Sequence, residues 1–239
     1  MRIEIWSDVV CPWCYVGKRR LESALADFEH ADDVEVVYRS FELDPYAPRG
    51  GDEPTLPQLA RKYGRPEAEM RTMVQGLVET AAADGLDLRL FDTVHTNTVD
   101  AHRLLHLALA EGGPALQRAL KEELLAAYFT RAENVGDHAV LAAAAAVAGL
   151  DAERVAAVLA GSEFAESVAA DVDQARAYGA TGVPFFVVDA RYGISGAQPV
   201  EVFAQVLERA WADAHPAVEL VTPAGASTDA ACGPDGCAI

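Results

Sequence analysis

Cys11-Pro12-Trp13-Cys14 is where this chain can do chemistry. Two cysteines separated by two residues can close a small, reversible disulfide. At a helix N-terminus the aligned peptide dipoles favour a thiolate on such a pair. Thiol exchange passes through a mixed disulfide, so one sulfur must attack and a second must resolve. The flanking residues set up that placement. Arg2-Ile3-Glu4-Ile5-Trp6 alternates like a strand. After Cys14, residues Leu21, Ala24, Leu25 and Phe28 fall on one stripe at helical spacing. The pair therefore stands at a strand-to-helix junction.

Zinc is the competing use of thiolates. An all-thiolate zinc site needs two CxxC-type knuckles. The other two cysteines, Cys232 and Cys237, have four residues between them and lie at the C-terminal end. Trp13 also suits a metal knuckle poorly, so no metal site is expected. A pair of inert core cysteines is disfavoured because Pro12 and Trp13 at a helix start keep the site near the surface.

The elements around the pair follow a simple order. Val34 to Ser40 reads as a second strand running on into Phe41-Glu42-Leu43, and Asp44 to Pro57 reads as a loop. From Leu56 to Tyr178 the chain is rich in Ala, Leu, Glu and Arg and reads as helices. Turn signals fall at Gly64-Arg65-Pro66, Gly112-Gly113-Pro114, Gly136-Asp137 and Gly149-Leu150-Asp151. Pro66 and Pro114 suit first helical positions, and Asp151 and Ser162 suit N-caps. Val99 to Ala110 is apolar nearly all round, which predicts a buried helix. Strands return at Phe185–Asp189 and Arg191–Ser195 as a hairpin. A last helix starts near Pro199 and runs to Trp211, and the chain from Asp213 reads as an irregular tail. The order is βαβ, many helices, ββα.

Val183-Pro184 directly precedes the first of those late strands. Proline cannot donate to a sheet ladder, so its place at a strand start is unusual. For a lone Val-Pro the trans form is the default. The upstream CxxC and the following ββα favour a cis bond packed against the redox pair.

Composition narrows the rest. The chain has 239 residues and is 51% hydrophobic, enough for one large domain or two small ones. No apolar run reaches the roughly 18 residues of a membrane helix. No signal peptide is read before the first strand, so the expected compartment is the reducing cytoplasm, where cysteines are used for catalysis or metals. The formal net charge of -18 argues against nucleic acid and against anionic membranes as partners.

Taken together, CxxC on βα and Val-Pro before ββα resemble the thioredoxin superfamily, an α/β fold. A helical insertion of this size resembles its DsbA class. Ser7-Asp8-Val9-Val10-Cys11-Pro12-Trp13-Cys14-Tyr15-Val16-Gly17-Lys18 is similar to the FrnE-like cytoplasmic branch. So are Asn97-Thr98, Ala101-His102-Arg103-Leu104, Ala127-Tyr128-Phe129 and Asn134-Val135-Gly136-Asp137. The resemblance implies a discontinuous thioredoxin-like domain of residues 1–45 and 180–212, an all-helical insertion domain of residues 46–179 and a tail of residues 213–239. It implies that Cys11 is the exposed, more acidic, attacking thiol and Cys14 the buried resolving one. Pro12, Trp13, Val183 and Pro184 would contact substrate, with the Val183 backbone offered to an extended peptide.

The implied activity is thiol:disulfide oxidoreductase or disulfide isomerase, acting on protein or small-molecule thiols and disulfides without a cofactor. The alternative is a glutathione-dependent small-molecule isomerase of the 2-hydroxychromene-2-carboxylate isomerase type, with glutathione as co-substrate. That type typically carries one serine where this chain has Cys11, and no redox pair. Cys232-Gly-Pro-Asp-Gly-Cys237 reads as a tight turn that would let two sulfurs meet, or as an irregular tail with two incidental thiols, and the resemblance implies a second redox pair exchanging with the first. Glu4 stands one strand position from the buried acid of thioredoxin, although an exposed strand residue is the simpler reading. His102 and His106 have metal-ligand spacing but no third ligand, which favours packed or hydrogen-bonded histidines. Asn97 and Arg103 are read either as lining a cleft facing Cys11 or as a helix cap and a surface charge.

Overall fold

Alternation in β1 (Arg2–Ser7) sends Ile3 and Ile5 to one face and Trp6 to the other, and all three are buried. This computed structural model describes residues 1–216. β1 lies between β2 (Glu35–Ser40), which runs parallel to it, and β3 (Phe185–Val188), which runs antiparallel. β4 (Tyr192–Ser195) completes a four-stranded mixed sheet of order β2-β1-β3-β4. The two ends of the chain thus build one sheet. The register sets Ile5 beside Tyr38 on one side and Phe186 on the other, and Trp6 beside Phe185.

Helices α1 (Pro12–Ala26) and α8 (Val200–Ala214) cover the Ile3/Ile5 face. Leu21, Ala24 and Phe28 meet Phe186, Ile194, Phe203 and Leu207 there. The Trp6 face packs on α7 (Ala165–Ala177), where Trp6 Nε1 donates to the Asp171 carbonyl at 2.7 Å. The remaining helices are α2 (Thr55–Tyr63), α3 (Glu67–Ala83), α4 (Val99–Phe129), α5 (His138–Ala148) and α6 (Ala152–Ala160). They form the helical insertion, whose apolar core around Leu104, Leu107, Leu120 and Leu124 also takes in Val9, Tyr15 and Val16.

α4 is broken where the sequence signals a turn. Gly113 takes φ 66°, ψ -165°, and Pro114 restarts the helix. Asp151 caps α6 as expected, accepting from the Glu153 and Arg154 amides. Ser162 does not cap α7: the Phe164 backbone occupies that place at φ 65°, and the helix starts three residues past the serine. Pro66 sits at the N-cap of α3 rather than at its first helical position. The second strand stops at Ser40 instead of running on, because the Asp8 carboxylate takes the Leu43 amide at 2.8 Å and turns the chain into a loop.

Candidate active site

β1 ends at Ser7, and α1 begins at Pro12 after four intervening residues. Cys11 is the N-cap of α1, in extended conformation (φ -96°, ψ 111°), and Pro12 fills the first helical position. The cap residue's side chain makes no capping bond, which leaves its sulfur uncommitted to the helix. The Cys14 amide donates to the Cys11 carbonyl at 3.0 Å, so the two sulfurs face the same side of the first turn.

Asp8 holds the loop in shape. It is fully buried, and its carboxylate accepts from the Val9 amide at 2.8 Å, from the Leu43 amide at 2.8 Å and from His102 Nε2 at 3.2 Å. Its carbonyl accepts the Cys11 amide at 3.4 Å. Burial alone would raise this carboxyl. The His102 bond and charge, the Leu43 amide and the Lys121 ammonium outweigh it and hold Asp8 below the usual carboxylate range.

Both sulfurs are free, and both residues are buried, Cys11 with 4% and Cys14 with 3% of its surface exposed. Trp13, 40% exposed, places the site at the surface, although the two cysteines beneath it are buried. The Cys11 thiol donates to the Val183 carbonyl at 3.6 Å. The Val183-Pro184 bond is cis, as the sequence suggested. Gly17, one turn past Cys14, is what lets α1 approach this proline. A Cβ at Gly17 would stand 3.1 Å from Pro184 Cγ and 3.1 Å from Phe186 Cζ.

The two thiols act on each other's ionisation. The hydrogen bond to Cys14, then burial, raises Cys11 well above its ordinary value. Burial opposes ionisation of Cys14 as well, but the Cys11 hydrogen bond and the Lys121 ammonium outweigh it and bring Cys14 below its ordinary value. The expectation of an exposed Cys11 beside a buried Cys14 is not met, because both residues are buried to the same degree. The helix terminus lies beside both sulfurs, and the Lys121 ammonium acts on Cys14 in the direction of the thiolate.

Over residues 2–208 the chain matches the DSBA-like thioredoxin domain. The chain belongs to the DsbA-like thioredoxin family. The crystal structure of a probable DsbA oxidoreductase from Streptomyces coelicolor is similar over 100% of this chain and 99% of that one, with 48% identity and a TM-score of 0.84. A 2-hydroxychromene-2-carboxylate isomerase shares the fold, with a TM-score of 0.66 over 90% of this chain and 98% of that one, at 14% identity. The uncharacterized protein YwbO of Bacillus subtilis is 44% identical over 45 residues, which span 19% of this chain and 20% of that protein.

In this DsbA-like chain the lesser candidates are occupied elsewhere. His102 bonds Asp8, and His106 Nε2 meets Asp171 Oδ2 at 3.0 Å and Ser40 Oγ at 3.1 Å. Both are packed, hydrogen-bonded histidines. Asn97 accepts from the Val99 amide at the start of α4 and donates to the Pro45 carbonyl. Arg103 is buried, not a surface charge, and donates to the carbonyls of Val158, Gly161 and Glu163 and to Asp100. Glu4 is neither the buried acid nor an open surface residue: its carboxylate pairs with Arg39 of β2. Cys232 and Cys237 lie outside the described residues.

Sequence reasoning missed two residues. Asp8 stands in the opening block but received no role. Lys121 is absent from the candidate residues. A signal for it was present: Gln117, Leu120, Lys121, Leu124, Leu125 and Tyr128 recur at helical spacing, and all six are buried.

Proposed function

We propose that the chain is a thiol:disulfide oxidoreductase in which Cys11 and Cys14 alternate between dithiol and disulfide. The observation that carries this reading is a free cysteine pair at the start of α1, with the Cys11 sulfur 3.6 Å from the carbonyl that precedes the cis-proline. An acceptor disulfide is attacked by the Cys11 thiolate while Cys14 is a thiol. One substrate sulfur leaves as a thiolate and takes up the Cys14 proton, and the other stays bonded to Cys11. The Cys14 thiolate then attacks the Cys11 sulfur. The Cys11–Cys14 bond forms, the mixed disulfide breaks, and the second substrate sulfur leaves and takes up a proton. The protein pair is oxidised by two electrons and the substrate disulfide is reduced by two. Run backwards, the same steps oxidise a dithiol.

Cys11 is assigned the attacking role because it opens the helix beside the exposed indole of Trp13 and the Val183 carbonyl. Pro12, Trp13, Val183 and Pro184 form the proposed substrate contact, with an extended peptide or a small thiol lying along Val183. No resident cofactor is needed, and glutathione fits as a thiol substrate rather than a prosthetic group. The compartment proposed is the cytoplasm, where low-molecular-weight thiols supply the electrons. Cys232 and Cys237 are proposed as a second pair that exchanges with the first.

Redox titration of the Cys11–Cys14 pair in glutathione buffers, with insulin reduction as the turnover assay, tests the reading. The wild type should cycle, and Cys11→Ser should abolish exchange. Retention of most activity in Cys11→Ser would overturn it and favour the glutathione-dependent isomerase.

A further inference from the structure

Lys121 is fully buried, with 0% of its surface exposed. It comes from the second half of α4, in the helical insertion, yet it lies under the redox loop of the sheet. Its ammonium donates to the Ser7 carbonyl at a long 3.4 Å and sits 5.5 Å from the centroid of the Tyr38 ring. Among the described residues no carboxylate forms an ion pair with it; the nearby Asp8 carboxylate is spent on Val9, Leu43 and His102. An ammonium has three donors, and taking it out of water without partners is costly. The charges acting on it are those of Cys14 and Cys11 at the start of α1, of Asp8 in the loop and, repelling it, of Lys18 of α1, with the Tyr38 ring of β2 against it. The groups left to compensate the charge are the sulfurs.

We propose that Lys121 is the fixed cation that stabilises the Cys14 thiolate and thereby sets the redox poise of the pair. This rests on the reading of Cys11 and Cys14 as a redox centre. The lysine matters most in the mixed disulfide. There Cys11 carries no proton, so the hydrogen bond that favours the Cys14 thiolate in the free dithiol is gone. Lys121 then remains as the positive charge beside the sulfur that must attack. The same charge favours the reduced state over the disulfide, because the disulfide carries no negative charge to compensate it. Burial pushes the lysine down to about 8, while the two sulfurs and Asp8 act in the opposite direction. By reciprocity, whatever the ammonium does for the thiolate the thiolate does for the ammonium.

The test compares wild type, Lys121→Met and Lys121→Arg as full chains. In a Cys11→Ala background, ultraviolet titration of the Cys14 thiolate should move to higher pH in Lys121→Met, with the thiolate fraction at neutral pH falling about tenfold or more. In glutathione buffers Lys121→Met with both cysteines present should shift the equilibrium toward the disulfide by about tenfold, or roughly 30 mV. Lys121→Arg should recover most of both shifts. Should Lys121→Met fail to fold, the wild type still decides. Nitrogen NMR of the Lys121 ammonium should titrate at higher pH in the reduced protein than in the oxidised one. Unchanged thiol titration and equilibrium in Lys121→Met, or an identical lysine titration in both redox states, would overturn the proposal. Absence of disulfide exchange in the wild type would instead overturn the functional reading, and the lysine–thiol coupling would remain measurable.

Discussion

Gly17→Ala tests how closely the redox helix is fitted to the proline strand. Gly17 lies inside α1, where alanine is intrinsically favoured by about 1 kcal/mol. The surroundings oppose that gain. The new methyl would meet Pro184 Cγ and Phe186 Cζ, each at 3.1 Å, and Ala197 Cβ at 3.5 Å. Neither close neighbour can yield cheaply. The Pro184 ring is rigid, and its carbonyl is fixed by the Gly196 amide at 2.8 Å. Phe186 has 0% of its surface exposed and packs edge-on against Phe203, with centroids 4.8 Å apart. Overpacking of this kind costs about 1–3 kcal/mol, so the net expectation is a loss of about 1 kcal/mol. For a chain of this size that lowers the melting midpoint by about 2–4 °C.

Gly76→Ala is the matched control. It lies inside α3 with nothing within 4 Å of the added methyl, so it keeps the helix gain without the clash. Thermal melts of the two variants should move in opposite directions, and Gly17→Ala should also exchange disulfides more slowly, because the Val183 carbonyl moves with the proline. A Gly17→Ala protein more stable than the wild type would refute the argument, since the neighbours would then have absorbed the methyl freely.

Asp8→Asn should remove an acid-sensitive part of the stability. The folded carboxyl is held below its usual range of about 3.9, so its contribution is present in full above that value and is lost as pH falls below it through the folded value. Denaturant midpoints should therefore separate wild type and variant near neutral pH and converge below about pH 4; a gap that stays constant into acid would refute this. Gly113→Ala should cost about 1–3 kcal/mol from backbone strain alone, because φ 66° with ψ -165° belongs to glycine and the added methyl meets nothing within 4 Å. A denaturation curve unchanged from wild type would show that the break can move to a neighbouring residue.

The strands and their sheet were legible because alternation and β-branched runs are local signals. Ile3 and Ile5 against Glu4 and Trp6, and the run Phe185-Phe186-Val187-Val188, announce themselves without any tertiary knowledge. The cis-proline was legible only in combination, since a lone Val-Pro carries no such message. What stayed hidden is polar and long-range. Asp8 acquires its role from Leu43 and His102, far along the chain. The Asp189-Ala190 turn between β3 and β4 lacks the glycine that marks such hairpins, yet both residues adopt positive φ, 48° and 53°. The charge beneath the thiols was hidden for the same reason: the helix dipole is local, but Lys121 is far along the chain. Ser162 offered the right side chain for a cap and lost the position to packing of the Phe164 segment.

The break in α4 ties these long-range contacts together. His102 and Lys121 are 19 positions apart on one helix (121 − 102), and a straight helix would separate them by about 28 Å. Both nevertheless reach the same stretch of loop. His102 Nε2 meets Asp8 at 3.2 Å, and Lys121 Nζ meets the carbonyl of Ser7, the adjacent residue, at 3.4 Å. Gly113 makes this possible by turning the second half of α4 back along the first. The returning half also fastens the sheet edge. β2 is the outer strand, and Gln117 both accepts from the Tyr38 amide at 2.8 Å and donates to the Tyr38 carbonyl at 2.9 Å, closing backbone groups that would otherwise stand open. The insertion is therefore not a separate layer resting on a complete redox unit. One half of its central helix supplies the histidine that shapes the cysteine loop, the other supplies the cation beneath the sulfurs, and a single glycine brings the two together.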